Sequence, residues 1–270
     1  MAQQDQTEFQ SLKETAHALA DAAREVTLRH FRNGGLGTES KLEGGFDPVT
    51  IADRGAEQAM RQLLRERRPQ DGVLGEEFGH SPGESKLTWV LDPIDGTRGF
   101  ISGTPTWGVL ISVRDETGPI FGIIDQPYIG ERFSGGLGEA WCDGPQGRRA
   151  LKALGDRSLA QSILFTTFPE IGTKHERHGF NSVADQVQLT RYGMDCYAYA
   201  LLAAGQIDLV IEAGLNAYDI QAPIAVIEAA GGIVTDWKGG SAQSGGRVLA
   251  AAGVEQHAAA LALLSQVGED

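Results

Sequence analysis

The chain has 270 residues, 41% hydrophobic and 22% charged, which provides a large core in one broad domain or two intimate ones and excludes global disorder. A formal net charge of −13 excludes a broad basic surface, so nucleic acid is not an expected partner, and any bound phosphate needs a local supply of cations. The longest apolar stretch, CYAYALLAAG at 196–205, falls well short of the roughly 18 apolar residues of a membrane span, and the polar, acidic N-terminus lacks a secretory pattern. No membrane partner and a cytoplasmic location are therefore expected.

Leu12, Ala16, Leu19, Ala23 and Val26 recur at helical spacing over 9–31, and Gly34-Gly35 stops that helix. The turn-rich GGFDPVTIAD leads to a second helix, with Thr50 as its cap and Ile51, Met60, Leu63 and Leu64 among its apolar positions. Arg65, Arg67 and Arg68 form a basic clump suited to its C-terminus. Strands are expected at 73–74 and 87–91, running into Glu76-Glu77 and Asp92 respectively. Two more, at 107–113 and 120–124, flank the turn signal ETG. GPQG at 144–147 marks the expected boundary between an N-terminal half, 1–147, and a C-terminal half, 148–270.

Beyond that boundary the pattern predicts a strand at 163–166 and a buried helix at 196–204 stopped by Gly205. A strand at 207–211, a helix at 220–230 ended by Gly231-Gly232 and a strand at 233–235 follow. This alternation predicts a layered α/β fold. Cys142 and Cys196 form neither a zinc-ligand spacing nor a disulfide framework, so reduced thiols are expected.

The segment WVLDPIDGTRGF at 89–100 carries the chemistry. Asp92 and Asp95 bracket Pro93-Ile94 behind an apolar strand; the proline restricts the backbone, and Gly96 permits close approach by an anion. Thr97 can then donate its hydroxyl and open a short helix whose free amides face phosphate oxygens. An Asp-rich turn with a helix cap is the alternative reading of DPIDGT alone; its place after a buried strand favours a site. Glu76 and Glu77 end another strand, and adjacent strand ends bring distant carboxylates together around hard divalent cations. Asp53 also fits a capping box with Thr50, Asp219 an N-cap, and Asp195 a cap for CYAYALLAA. His175 and His178 in KHERH have the spacing of a helical metal pair but lie in a polar segment and read as solvated.

In this order DPVTIAD at 47–53, GEE at 75–77, WVLDPIDGTRGF at 89–100 and YDIQAPIAVIEAAGG at 218–232 resemble the inositol monophosphatase superfamily. The resemblance implies a layered αβαβα sugar-phosphatase fold, Mg²⁺-dependent phosphate-monoester hydrolysis with two or three ions, and a homodimer. Residues 96–113 and 191–214 are similar to the histidinol-phosphatases of that superfamily. That implies a small phosphorylated metabolite as partner: histidinol phosphate, split to histidinol and inorganic phosphate by metal-activated water in histidine biosynthesis. Inositol 1-phosphate or a broader range of small phosphate monoesters is the alternative, and an acidic metal-binding interaction module the nonenzymatic one.

On matching positions the resemblance assigns Glu76, Asp92, Asp95, Asp219 and the Ile94 carbonyl to Mg²⁺. Asp53, Glu76 and Thr97 orient and activate water; Asp95, Gly96 and Thr97 meet the phosphate; Asp195, Glu212 and Asp219 meet the organic portion. Glu77 is not expected on the principal metal, and the region around Lys41 fits a mobile metal-site loop. Histidinol phosphate carries an ammonium and a protonatable imidazole, which Asp195 and Glu212 suit by charge.

Overall fold

The structure, a computed structural model, describes residues 3–33, 39–40, 48–155 and 157–268. Lys41 and most of the surrounding 34–47 segment lie outside the described residues. Helices α1 (Gln3–His30) and α2 (Ile51–Arg67) open the chain around a short antiparallel pair, β1 (Glu39–Ser40) and β2 (Pro48–Val49). Thr50 caps α2 through the expected capping box: its hydroxyl accepts from the Ala52 amide, and Asp53 accepts from the Thr50 amide. At the other end Arg68 pairs with Glu8 and Asp71, so that part of the basic clump serves the helix terminus.

The larger sheet contains β3 (Gly72–Gly75), β4 (Gly79–Ser81), β5 (Thr88–Asp95), β6 (Gly108–Arg114), β7 (Pro119–Gln126), β8 (Glu131–Gly136), β9 (Glu139–Gly144) and β10 (Gly147–Ala150). They lie in the order β10-β9-β8-β7-β6-β5-β3-β4, with α3 (Thr97–Ser102) leaving the end of β5. GPQG is the hairpin turn between β9 and β10, and the chain enters the second sheet after Ala150. That sheet has the order β12-β11-β13-β15-β14, from β11 (Ile163–Thr166), β12 (Leu189–Tyr192), β13 (Leu209–Leu215), β14 (Ile233–Thr235) and β15 (Gly246–Ala251). Its helices are α4 (Lys174–Ala184), α5 (Tyr197–Ala203), α6 (Ala217–Ala229) and α7 (Val254–Leu264).

Five layers result. Helices α1 and α2 bury Leu12, Leu19, Met60 and Leu64 against Trp89, Leu91 and Ile111 of the larger sheet. Between the sheets, α6 brings Ile220, Val226 and Ile227 against Leu110 and Ile124 of one and Val210, Val234 and Ala250 of the other. A helix enclosed on both sides has to be apolar all round, and IQAPIAVIEAA meets that demand. On the outer face α4 and α7 place Phe180, Val183, Ala260 and Leu264 over Leu164, Leu209 and Leu249. The architecture is the layered αβαβα fold expected from the sequence.

Two local differences shape the site. Strand β5 does not stop at Leu91 but continues to Asp95: Asp92 still pairs with Leu110 and Asp95 with Gly108, with a register slip between them. Pro93 sits in that slip, where its missing N–H removes no regular ladder bond. Helix α6 starts at Ala217 rather than at residue 220, because Asn216 is its N-cap and Asp219 closes the capping box from the first turn.

Candidate active site

Asp92 and Asp95, on either side of the slip in β5, both line one concave surface. Asp92 is buried, with its Oδ1 accepting from the Ile94 amide at 3.0 Å. Asp95 accepts from the Cys196 amide at 2.6 Å, and Asp219 from the Asn216 amide at 2.6 Å. Ligand oxygens of Asp92, Asp95 and Asp219 all lie within 4.8 Å of one another. Glu76 stands beside this trio in the same cavity, close enough for its charge to act on Asp92. Burial and then repulsion from Glu76, Asp95 and Asp219 push the Asp92 carboxyl well above its usual range; burial, Asp195 and Asp219 do the same to Asp95.

These residues open into a cavity of about 300 Å³. Glu76, Asp92, Asp95, Asp195, Glu212 and Asp219 line it, and Arg98 is the one basic side chain among its described lining residues. Such a pocket repels a phosphate unless cations sit in it. The clustered, oxygen-only donors and the unrelieved repulsion among them fit a hard divalent cation such as Mg²⁺.

Asp53 and Thr97 meet across the mouth of α3. Asp53 is buried; its Oδ2 accepts from the amide and hydroxyl of Thr50 at 2.8 and 2.6 Å. Its Oδ1 is 3.5 Å from Thr97 Oγ1, which also donates to the Ile94 carbonyl at 3.1 Å. Burial lifts the Asp53 carboxyl to about 6. The capping box and a place in the site are thus compatible: one carboxylate oxygen serves each. Gly96 has φ +80°, and a Cβ there would lie 2.7 Å from the Asp195 carboxyl carbon, so glycine is required on both counts.

Asp195 and Glu212 line the same cavity, each held by threonine. Asp195, itself left-handed at φ +48°, accepts from Thr106 Oγ1 at 3.0 Å. Helix α5 is capped at Cys196 without a side-chain bond, so capping is not the role of the Asp195 carboxylate. Glu212 accepts from Thr167 N at 2.7 Å, Thr167 Oγ1 at 2.9 Å and Thr166 Oγ1 at 3.1 Å, while burial raises it to about 7. Arg98 stacks 4.8 Å above the Phe168 ring on the rim.

A profile of the Inositol monophosphatase family matches residues 8–269. The chain belongs to the inositol monophosphatase family. It is 41% identical to the "Bifunctional phosphatase IMPL2, chloroplastic" of Arabidopsis thaliana over 86% of this chain and 66% of that protein. It is 34% identical to a histidinol-phosphatase of Mycobacterium tuberculosis over 88% of this chain and 92% of that one. Among solved structures, an inositol monophosphatase from Zymomonas mobilis superimposes with a TM-score of 0.82 at 37% identity, covering 93% of this chain and 96% of that one. Phosphate-monoester hydrolysis is the activity this family member's site supports, with an acidic cluster able to coordinate divalent metal.

The sequence-predicted residues of this inositol monophosphatase family member all face one place except Glu77, which pairs with Arg54 at 3.8 Å. His175 and His178 lie elsewhere, exposed on α4. Both cysteines are buried and free. No described helix is long and apolar enough to cross a membrane. Sequence reasoning missed Thr106, Thr166, Thr167 and Phe168; the Thr166-Thr167 pair at the C-terminal end of β11 was the available signal, at the same kind of strand end that marks Glu76 and Asp95.

Proposed function

We propose that this chain is a Mg²⁺-dependent phosphatase of small phosphate monoesters, its site shared between residues 1–147 and 148–270, working as a cytoplasmic homodimer. The supporting observation is the trio of buried Asp92 and half-buried Asp95 and Asp219 beside the Asp53–Thr97 pair. The trio, with Glu76 and the Ile94 carbonyl, would hold two or three ions. When bound, Mg²⁺ neutralises phosphate charge and makes an attacking water more acidic. Thr97 donates its hydrogen to the Ile94 carbonyl or to Asp53, which leaves its oxygen lone pair to orient that water in line with phosphorus. Asp53, ionised above about pH 6, accepts the proton. The amides of Gly96 and Thr97 at the start of α3 meet phosphate oxygens, and Asp95 fixes the approach of that phosphate.

Two substrates fit the organic end. For histidinol phosphate the supporting feature is charge: Asp195 and Glu212 suit an ammonium and an imidazolium. For inositol 1-phosphate it is prior satisfaction: three donors from Thr166 and Thr167 already answer Glu212, so it accepts hydroxyls without needing a cation. The broader phosphomonoesterase reading accommodates both. Turnover of purified protein with Mg²⁺ should be compared on histidinol phosphate, inositol 1-phosphate, a sugar bisphosphate and 3′-phosphoadenosine 5′-phosphate. A kcat/KM led by histidinol phosphate would narrow the function to histidine biosynthesis; no phosphate release from any of them would leave an acidic metal-binding module instead. Sedimentation tests the dimer.

A further inference from the structure

Glu57 lies one turn beyond Asp53 on α2, outside the pocket and fully buried. A buried carboxylate needs its lone pairs answered, and Glu57 directs them to the turn that carries Glu76. Its Oε2 accepts from the Glu77 amide at 2.7 Å and its Oε1 from the Phe78 amide at 3.3 Å. Arg61, a turn further along, donates Nε to Glu57 Oε1 at 2.6 Å. The same guanidinium reaches into the β3–β4 hairpin, with Nη1 donating to Ser81 Oγ at 3.0 Å and Nη2 to the Gly79 carbonyl.

Gly75 completes the grip. A Cβ there would fall 1.9 Å from Glu57 Oε1, so only glycine admits the carboxylate into the turn. From the opposite side the Glu76 amide donates to the Leu91 carbonyl at 3.2 Å, one residue before Asp92. Glu76 is therefore held between α2 and β5 by contacts that involve neither substrate nor cation.

We propose that Glu57, supported by Arg61, is a positioning residue for Glu76, holding the 75–78 turn so that the Glu76 carboxylate faces Asp92 where a divalent cation binds; this rests on the phosphatase reading above. A helix-to-hairpin staple with no further role would affect folding stability alone. A positioning role must also appear in cation affinity, because a ligand set that is loose before binding has to be ordered at the moment of binding.

The test uses the full chain as wild type, Glu57→Gln and Arg61→Lys. Mg²⁺ affinity is read by titration calorimetry, and turnover of a small phosphate monoester is read against Mg²⁺ concentration. Glu57→Gln should bind Mg²⁺ about tenfold more weakly and show a kcat lower by about tenfold, the scale expected of groups that orient metal ligands. The KM for the ester should stay within about twofold. Arg61→Lys keeps a cation but loses the fork, and should show about a threefold loss of Mg²⁺ affinity; it decides the matter if Glu57→Gln does not fold. A folded variant of lower thermal midpoint with wild-type Mg²⁺ affinity and kcat would overturn the proposal. If wild type itself neither binds Mg²⁺ nor hydrolyses the ester, the phosphatase reading fails first, and the two failures are told apart.

Discussion

Asp92, Asp95 and Asp219 crowd within 4.8 Å of one another, whereas Asp195 and Glu212 line the same cavity with threonine hydroxyls as their partners. Beyond burial, what acts on Asp92 is other carboxylates; what acts on Asp195 is the Thr106 hydroxyl and Arg98, both of which favour its charge. Burial raises the carboxyls of both groups, but in the trio carboxylate repulsion adds to it, whereas hydroxyl and amide donors offset part of it at Asp195 and Glu212. A pocket can therefore hold one set of acids crowded by its own kind and another met in part by hydrogen-bond donors. The first set suits metal and phosphate, the second an organic group whose identity is less sharply prescribed.

Substitution can separate these regimes. The largest effect is expected from Asp92→Asn, which should lower turnover by at least about 10²-fold and weaken Mg²⁺ binding with it. The same change should raise the thermal midpoint of the metal-free protein, since it removes a buried like charge. Midpoints recorded with and without Mg²⁺ check both signs; wild-type turnover and Mg²⁺ dependence would break the contrast. Asp53→Asn should lower kcat by about 10²-fold with little change in KM, the scale of a lost general base, and the pH–rate profile should lose its limb near pH 6.

On the other side, Asp195→Asn should reduce kcat/KM for histidinol phosphate about tenfold more than for inositol 1-phosphate, the discrimination expected of one charge contact. Equal losses on the two substrates would remove the charge argument. The smallest effect concerns stability. Burial lifts Glu212 to about 7 from an ordinary 4.5, so the folded chain holds that proton more tightly than the unfolded chain. Its contribution is full below about pH 4.5 and is lost as pH rises through about 7. Glu212→Gln should flatten the pH dependence of urea unfolding across that window, and an unchanged slope would show that Glu212 does not titrate there.

The contrast also explains what was legible. Asp92, Asp95, Gly96 and Thr97 sit on one strand-to-helix run, so local chemistry announced them, and Glu76 and Asp219 shared the signature of a carboxylate at an element end. The strand itself was read too short, because Asp-Pro-Ile-Asp looks like a turn when the register slip that absorbs Pro93 is a property of the sheet. The alternative of Asp219 as an N-cap arises because Asn216, the actual cap, lies before the apolar run rather than against it. The threonine tethers were invisible for a different reason: Thr106 lies 89 residues from Asp195, and Thr166 lies 46 from Glu212. Strands β8 to β10 and helices α4 and α7 were likewise not anticipated. In α7, AAALALL presents no polar stripe from which a helical period can be read.

Helix α6 carries Asp219 into the site from between two sheets, its apolar residues committed to both. Any drift of that carboxylate would disturb two hydrophobic layers at once, whereas Arg98 and Phe168 on the rim can be exchanged with little disturbance to either. In such a molecule catalysis is expensive to alter and appetite is cheap: a lineage can change its diet by editing the rim while the reaction stays as it was.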